Sequence, residues 1–413
     1  MKRILWLSNI RFSVEDLKAT GTWLQPLAES MSCLYKIFHV CNGKVNEIVY
    51  EDVGEITQIV LPNRKTVGRT QIPDKTTCDD VRRIVEKIRP DLIHVWGTES
   101  KWAYMNFLGV FSDFKTLLDM QGYLQACYKS YYGGLSFTEV LRCIGVKEIL
   151  LPNRSLIVQK QLFRRKADVE KIILDSYENI STQSDWVYKQ LKGLQLKAKL
   201  FHTKIMIRPL FFESKWMPTG NTSPCIFTGM SNAVSYKGLH VLLKSCALIK
   251  QKYADFKLFI VGRVMVKSHH ILSGYENYLS FLISSLGITN NVYFLGSLSA
   301  EEMIRYQLMS DVCAVPSAVE SYCLFLAEAL AMGMPSVASY SAAMPTIAKD
   351  KEEVLFYNHL DYVDCAEKIM QLFEDKELAV SLSLRARNKR VEENTCESVI
   401  EAQKSIYESL IGF

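Results

Sequence analysis

The chain has 413 residues, 48% of them hydrophobic and 23% charged, which supplies full cores and excludes a largely disordered protein. Its 49 Lys and Arg exceed its 44 Asp and Glu by 49 − 44 = 5, too mild a surplus for a dedicated nucleic-acid coat. At roughly 150 residues per domain, this length suggests two or three domains.

The N-terminus, Met1-Lys2-Arg3-Ile4-Leu5-Trp6-Leu7-Ser8-Asn9, turns polar too soon for a signal peptide and reads as a first β-strand. No apolar run reaches the roughly 18 residues of a transmembrane helix. Short apolar runs then alternate with longer amphipathic segments, the mark of parallel α/β sheets. Strands are expected at 3–7, 35–40, 56–61, 91–96 and 116–119, then near 179–182 and 204–207. Helices fall between them, as at 78–87 and 101–110. A stretch punctuated by Pro209, Pro218, Gly220 and Pro224 reads as an interdomain linker over 208–224. A second cycle follows, with strands at 225–229, 257–261, 291–295, 311–315 and 336–339. Its helices are expected at 237–251, 275–286 and 323–332, and further helices close the chain.

Two Rossmann-like doubly wound parallel-sheet domains facing an interdomain cleft are thus expected. They span 1–207 and 225–390, with a helix over 391–413 returning toward the first domain. The eleven cysteines are odd in number and scattered, with no CxxC pair, which points to free thiols and a cytoplasmic location.

The segment Pro316 to Pro335 carries the most chemistry. A strand ends at Pro316, and a helix is expected from about Ser321 to the glycine stop at Gly333. Glu328 falls among Leu324, Phe325, Leu326, Ala329 and Leu330, where a carboxylate costs several kcal/mol unless hydrogen-bonded. Glu320 lies eight positions earlier, about 12 Å along a helix axis, too far for a glycosidase pair at about 5–10 Å. That span matches the two ends of a nucleotide-sugar, with a pyrophosphate at the helix start between them. A loop glutamate and a salt-bridged core glutamate would give the same pattern.

The context resolves this by resemblance. Glu320 and Glu328 match the paired glutamates of the retaining glycosyltransferases of family 4, two-domain enzymes of GT-B fold. The 89–95 run Arg-Pro-Asp-Leu-Ile-His-Val, Ser235-Tyr236-Lys237-Gly238-Leu239, Phe259-Ile260-Val261-Gly262 and Val292-Tyr293-Phe294-Leu295-Gly296 resemble further motifs of that family, in order. The resemblance implies a catalytic Glu320 at the donor sugar, Glu328 on the nucleoside ribose and Lys237 neutralising the leaving diphosphate. It also implies donor contacts at Gly21 and along Ser321, Tyr322, Cys323 and Leu324.

Two positions depart from the family. Met230 stands where many members carry a phosphate-clamping arginine, and Arg263 is the cation expected to replace it. Gln121 stands where a histidine usually touches the donor sugar, and glutamine can hydrogen-bond but not shuttle protons.

The implied function is transfer of a sugar, with retention, from a nucleoside-diphosphate donor (a UDP-sugar foremost) to a glycan or lipid-linked glycan. The implied setting is cell-surface polysaccharide synthesis. No cofactor, metal or nucleic acid is expected, since no Asp-x-Asp triplet occurs and His269-His270 form a poor ligand pair. A nucleotide-sugar 2-epimerase and a non-catalytic nucleotide-sugar binder share the architecture and stay open. Basic residues between Arg142 and Lys166, interleaved with Ile149, Leu150, Leu151 and Ile157, read either as a solvated hairpin or as a surface for anionic lipid at the inner face of the membrane. Tyr123, Tyr128, Tyr131 and Tyr132 read as acceptor-stacking or as packing aromatics.

Overall fold

The computed structural model describes residues 1–13, 23–263 and 274–412. The first sheet contains β1 (Arg3–Leu7), β2 (Lys36–Gly43), β3 (Val49–Val53), β4 (Ile56–Pro62), β5 (Leu92–Trp96), β6 (Thr116–Met120), β7 (Asn179–Thr182) and β8 (Lys199–His202). Its order is β3-β4-β2-β1-β5-β6-β7-β8, with only the β3–β4 pair antiparallel among the described residues. The second contains β9 (Cys225–Asn232), β10 (Lys257–Arg263), β11 (Val292–Gly296), β12 (Val312–Val315), β13 (Ser336–Ser339) and β14 (Leu355–Tyr357). Its described pairs are all parallel, in the order β11-β10-β9-β12-β13-β14. Central strands such as β5 (LIHVW) and β12 (VCAV) are buried at every position, because helices cover both faces of a parallel sheet.

The strand expected at 204–207 does not form. The chain pairs earlier, at β8, and Ile205, Met206 and Ile207 are buried without a ladder where the backbone crosses between lobes. β3 was not expected. Its sequence VYEDV exposes alternate residues at a sheet edge, so it lacks the continuous apolar run of its neighbours.

Both lobes lend segments to the other. Tyr131, Leu135, Val140, Cys143 and Leu156 from the first half join the core of the second sheet. Glu139 there takes the Lys244 ammonium at 2.8 Å and the Tyr278 hydroxyl at 2.6 Å. The closing helix Cys396–Ile411 packs on the first lobe, where the buried Tyr407 hydroxyl accepts from Trp6 Nε1 at 2.9 Å and pairs with His94 Nδ1 at 2.7 Å. The 208–224 stretch is likewise anchored, through the buried Phe211 and through Trp216, whose indole donates to the Ser310 carbonyl at 2.9 Å.

Candidate active site

The helix after β12 begins at Leu324, capped by Cys323, not near Ser321. Glu320 therefore lies on the preceding loop, where its carbonyl accepts the Ala343 amide at 3.1 Å. This corrects the reading in which a single helix spaces the two glutamates. The amides of Ser321, Tyr322, Cys323 and Leu324 donate to no acceptor among the described residues, as expected at a helix start.

Glu320 receives the Lys237 ammonium on Oε1 at 2.7 Å. Lys237 ends the short turn Ser235–Lys237 and is followed by Gly238 at φ +71°, where a Cβ would stand 1.9 Å from the Pro316 carbonyl oxygen. Only glycine lets these two loops close, so the glycine fixes the lysine against the glutamate. Burial pulls the Lys237 pKa down, but the adjacent Glu320 outweighs it and the pKa is raised. The lysine is held charged.

Glu328 is buried, and its side-chain partner is the Arg208 guanidinium, Nε to Oε1 at 2.8 Å. Burial pushes the Glu328 carboxyl up, and Arg208 opposes that rise. Sequence reasoning missed Arg208, which lies 120 positions away in the presumed linker. The available signal was the buried carboxylate itself, which demands a donor within the chain.

These side chains line a cavity of about 430 Å³ that also includes Trp23, Gly229, Met230, Gly262, Arg263, Cys323 and Leu324. Gly262 has φ +119°, and a Cβ there would fall 1.6 Å from the Met230 carbonyl oxygen. The strand ends β9 and β10 thus meet backbone to backbone. Met230 itself is 5% exposed and belongs to the core, so the family's arginine position is packed rather than charged here. Arg263 ends β10, exposed, on the same cavity as Lys237.

A second cavity of about 270 Å³ shares Trp23, Lys237, Glu320 and Leu324 with the first and extends to Gln121, Gly122 and Cys127 of the first lobe. Gln121 directly follows β6, and its Nε2 is buried without a hydrogen-bond partner among the described residues. Ser321 is engaged between lobes: its hydroxyl accepts the Tyr123 amide at 2.9 Å and its carbonyl accepts the Ser184 hydroxyl at 2.5 Å. Its hydroxyl and carbonyl are thus engaged between the lobes, while the donor contact expected along 321–324 concerns backbone amides. Tyr322 accepts from Asn394 Nδ2 at 3.1 Å. Gly21, expected on the donor phosphates, and His269-His270 lie outside the described residues.

The tyrosine cluster is largely packed. Tyr131 is buried against Phe163 and Tyr236, and the Lys160 ammonium sits 4.1 Å from the Tyr132 ring centre. The basic segment presents an apolar ridge, with Val146, Ile149 and Leu150 exposed at 72%, 69% and 73%. No described helix is long and apolar enough to cross a membrane.

Residues 215–389 match the family model described as glycosyl transferases group 1. The second lobe is thus similar to group 1 glycosyl transferases. A stretch of 175 residues is 30% identical to a D-inositol 3-phosphate glycosyltransferase of Corynebacterium urealyticum, covering 41% of this chain and 40% of that protein. The first three curated relatives are matched over only 32% to 41% of their length. Over nearly the whole chain, the structure resembles the sucrose-phosphate synthase of Thermosynechococcus elongatus (TM-score 0.73, 16% identity, 99% of both chains). It also resembles Anabaena HepE in complex with UDP-glucose (TM-score 0.68, 13% identity, 99% of this chain and 100% of that one). The two lobes together have the GT-B fold.

Proposed function

We propose that this protein is a retaining glycosyltransferase that moves a sugar from a nucleoside-diphosphate-sugar, with a UDP-sugar favoured, to a glycan or lipid-linked glycan in cell-surface polysaccharide synthesis. The observation that carries this reading is the Lys237–Glu320 pair at the junction of two cavities, one opening into each lobe. The UDP-glucose complex of the HepE neighbour and the glycosyltransferase relatives favour the same donor class.

In this reading the diphosphate lies in the second-lobe cavity, where Lys237 and Arg263 supply positive charge and the amides after Glu320 supply donors. Glu328 with Arg208 bounds the nucleoside end, and Gln121 offers its free amide to a sugar hydroxyl. The acceptor hydroxyl attacks the anomeric carbon on the face from which the diphosphate departs. The new C–O bond forms as the C–O bond to phosphate breaks, and the acceptor's proton passes to the leaving phosphate oxygen. The protein contributes position and charge, without a metal ion.

The apolar ridge at Val146, Ile149 and Leu150, beside Arg142, Lys147 and Arg154, supports a peripheral contact with anionic lipid at the inner face of the cytoplasmic membrane.

The test is incubation with UDP-, GDP- and ADP-sugars, following release of free nucleoside diphosphate. Slow release by the wild type, abolished by Glu320→Gln, supports transfer. Conversion of the donor to an epimer without acceptor, or donor binding with no release under any condition, contradicts it.

A further inference from the structure

The first lobe contains a separate cavity of about 510 Å³, outside the site just described. It opens where Asn9 follows β1, Arg64 follows β4, and Glu99 and Lys101 follow β5, at the carboxyl ends of strands where open parallel sheets take ligands. Five cations line it (Arg64, Lys65, Arg69, Lys101 and Lys166) against one carboxyl group, Glu99.

Lys101 is decisive. It is 5% exposed; its Nζ stands 5.2 Å from the Trp102 ring centre and has no hydrogen-bond partner among the described residues. Burial draws its pKa down, with Asp74 opposing through space and Arg64 adding to the fall. An ammonium left this way is costly unless an anion completes it. Arg64 is already held by Asp80 at 2.6 Å, whereas no described carboxylate forms an ion pair with Lys101. Asn42 Oδ1 and Glu99 Oε2, also on this cavity, are likewise buried without hydrogen-bond partners among the described residues.

The cavity adjoins the interlobe site. A Cβ on Gly122, which lines the second interlobe cavity, would lie 3.8 Å from Glu99 Oε2. The Cys127 thiol lies within electrostatic reach of Lys237 and Glu320 as well as of Glu99.

We propose that this cavity seats a phosphate-ester group of the acceptor on Lys101, Lys166 and Arg64, so that the remainder of the acceptor extends past Glu99 and Gly122 to the Lys237–Glu320 junction. The anion site stands on its own geometry, whereas its assignment to an acceptor rests on the transferase reading.

The test titrates the full chain by calorimetry with glucose 6-phosphate, with glucose, and with phosphatidylcholine vesicles carrying a polyprenyl diphosphate, alongside UDP. Glucose 6-phosphate or the vesicles should bind and glucose should not; which of the two binds identifies the acceptor as soluble or lipid-linked. Lys101→Met should weaken that binding about 10- to 100-fold, the loss expected for a charged hydrogen bond, while UDP affinity is unchanged. Because Lys101→Met removes an uncompensated buried charge, its unfolding midpoint should not fall. The exposed Arg69→Ala variant gives a second reading, with a smaller loss. Equal affinity in wild type and Lys101→Met, or no preference for the phosphorylated probes, overturns the proposal. UDP binding without phosphate binding sinks this inference alone. Phosphate binding without UDP binding leaves the anion site standing and sinks the transferase reading.

Discussion

The two lobes handle charge differently. In the second, four site charges are paired at contact distance, Lys237 with Glu320 at 2.7 Å and Glu328 with Arg208 from the connecting segment at 2.8 Å, and Arg263 is exposed. In the first, Glu99, Lys101 and Gln121 have polar atoms beside the cavities without hydrogen-bond partners among the described residues. Paired charges hold a site in place before substrate arrives, and orphaned ones await a ligand or titrate. Under the proposed function, this contrast corresponds to a donor site built rigidly and an acceptor site completed by what binds.

The sharpest way to break this contrast is to unpair the second lobe at its centre. Lys237→Ala or Glu320→Gln should lower nucleoside-diphosphate release about 10²- to 10³-fold in the presence of acceptor, the usual loss on removing one preorganised group. Retention of activity within a few fold would show that the pair is only structural.

Next comes the buried pair. Glu328→Ala strands Arg208 and should cost about 3 kcal/mol of stability in denaturant unfolding, together with loss of donor affinity. Replacing both, Arg208→Met with Glu328→Leu, should recover most of the stability and none of the donor affinity. Recovery of both would make the pair a packing device.

The first lobe offers a pH test. Burial pushes Glu99, Asp119 and Glu170 up to about 7, with Ser181 and Gln183 opposing at Asp119. An acid whose folded pKa is raised favours folding fully below its unfolded value, near pH 4, and loses that contribution as pH rises to about 7. The thermal midpoint should therefore fall across pH 4 to 7, and Asp119→Asn should flatten part of that fall. An unchanged slope in the variant would place the titration elsewhere. The smallest effect belongs to the surface: Ile149→Glu with Leu150→Glu should abolish flotation with anionic vesicles and leave turnover of soluble substrates unchanged.

Legibility divides along the same line. Glu320, Glu328, Lys237 and Met230 belong to contiguous motifs, and the close packing at Gly238 and Gly262 explains why those motifs demand glycine. Sequence locality let them be read. Arg208 reaches Glu328 from 120 positions away, so no local pattern announces it. Lys101 is an ordinary post-strand lysine until loops from β1, β2 and β4 close around it. Ile205-Met206-Ile207 shows the converse failure, since a buried apolar run looks like a strand even where it joins no sheet. The helix start shifted from Ser321 to Leu324 because Ser321 is committed to Tyr123 and Ser184 across the lobes.

A structure with UDP-sugar bound asks the most direct question. The diphosphate should contact Lys237 Nζ and approach Arg263, with Glu320 facing the sugar and the ribose near Glu328. A nucleotide seated away from the cavity that holds Lys237, Glu320 and Glu328 would contradict the assignment.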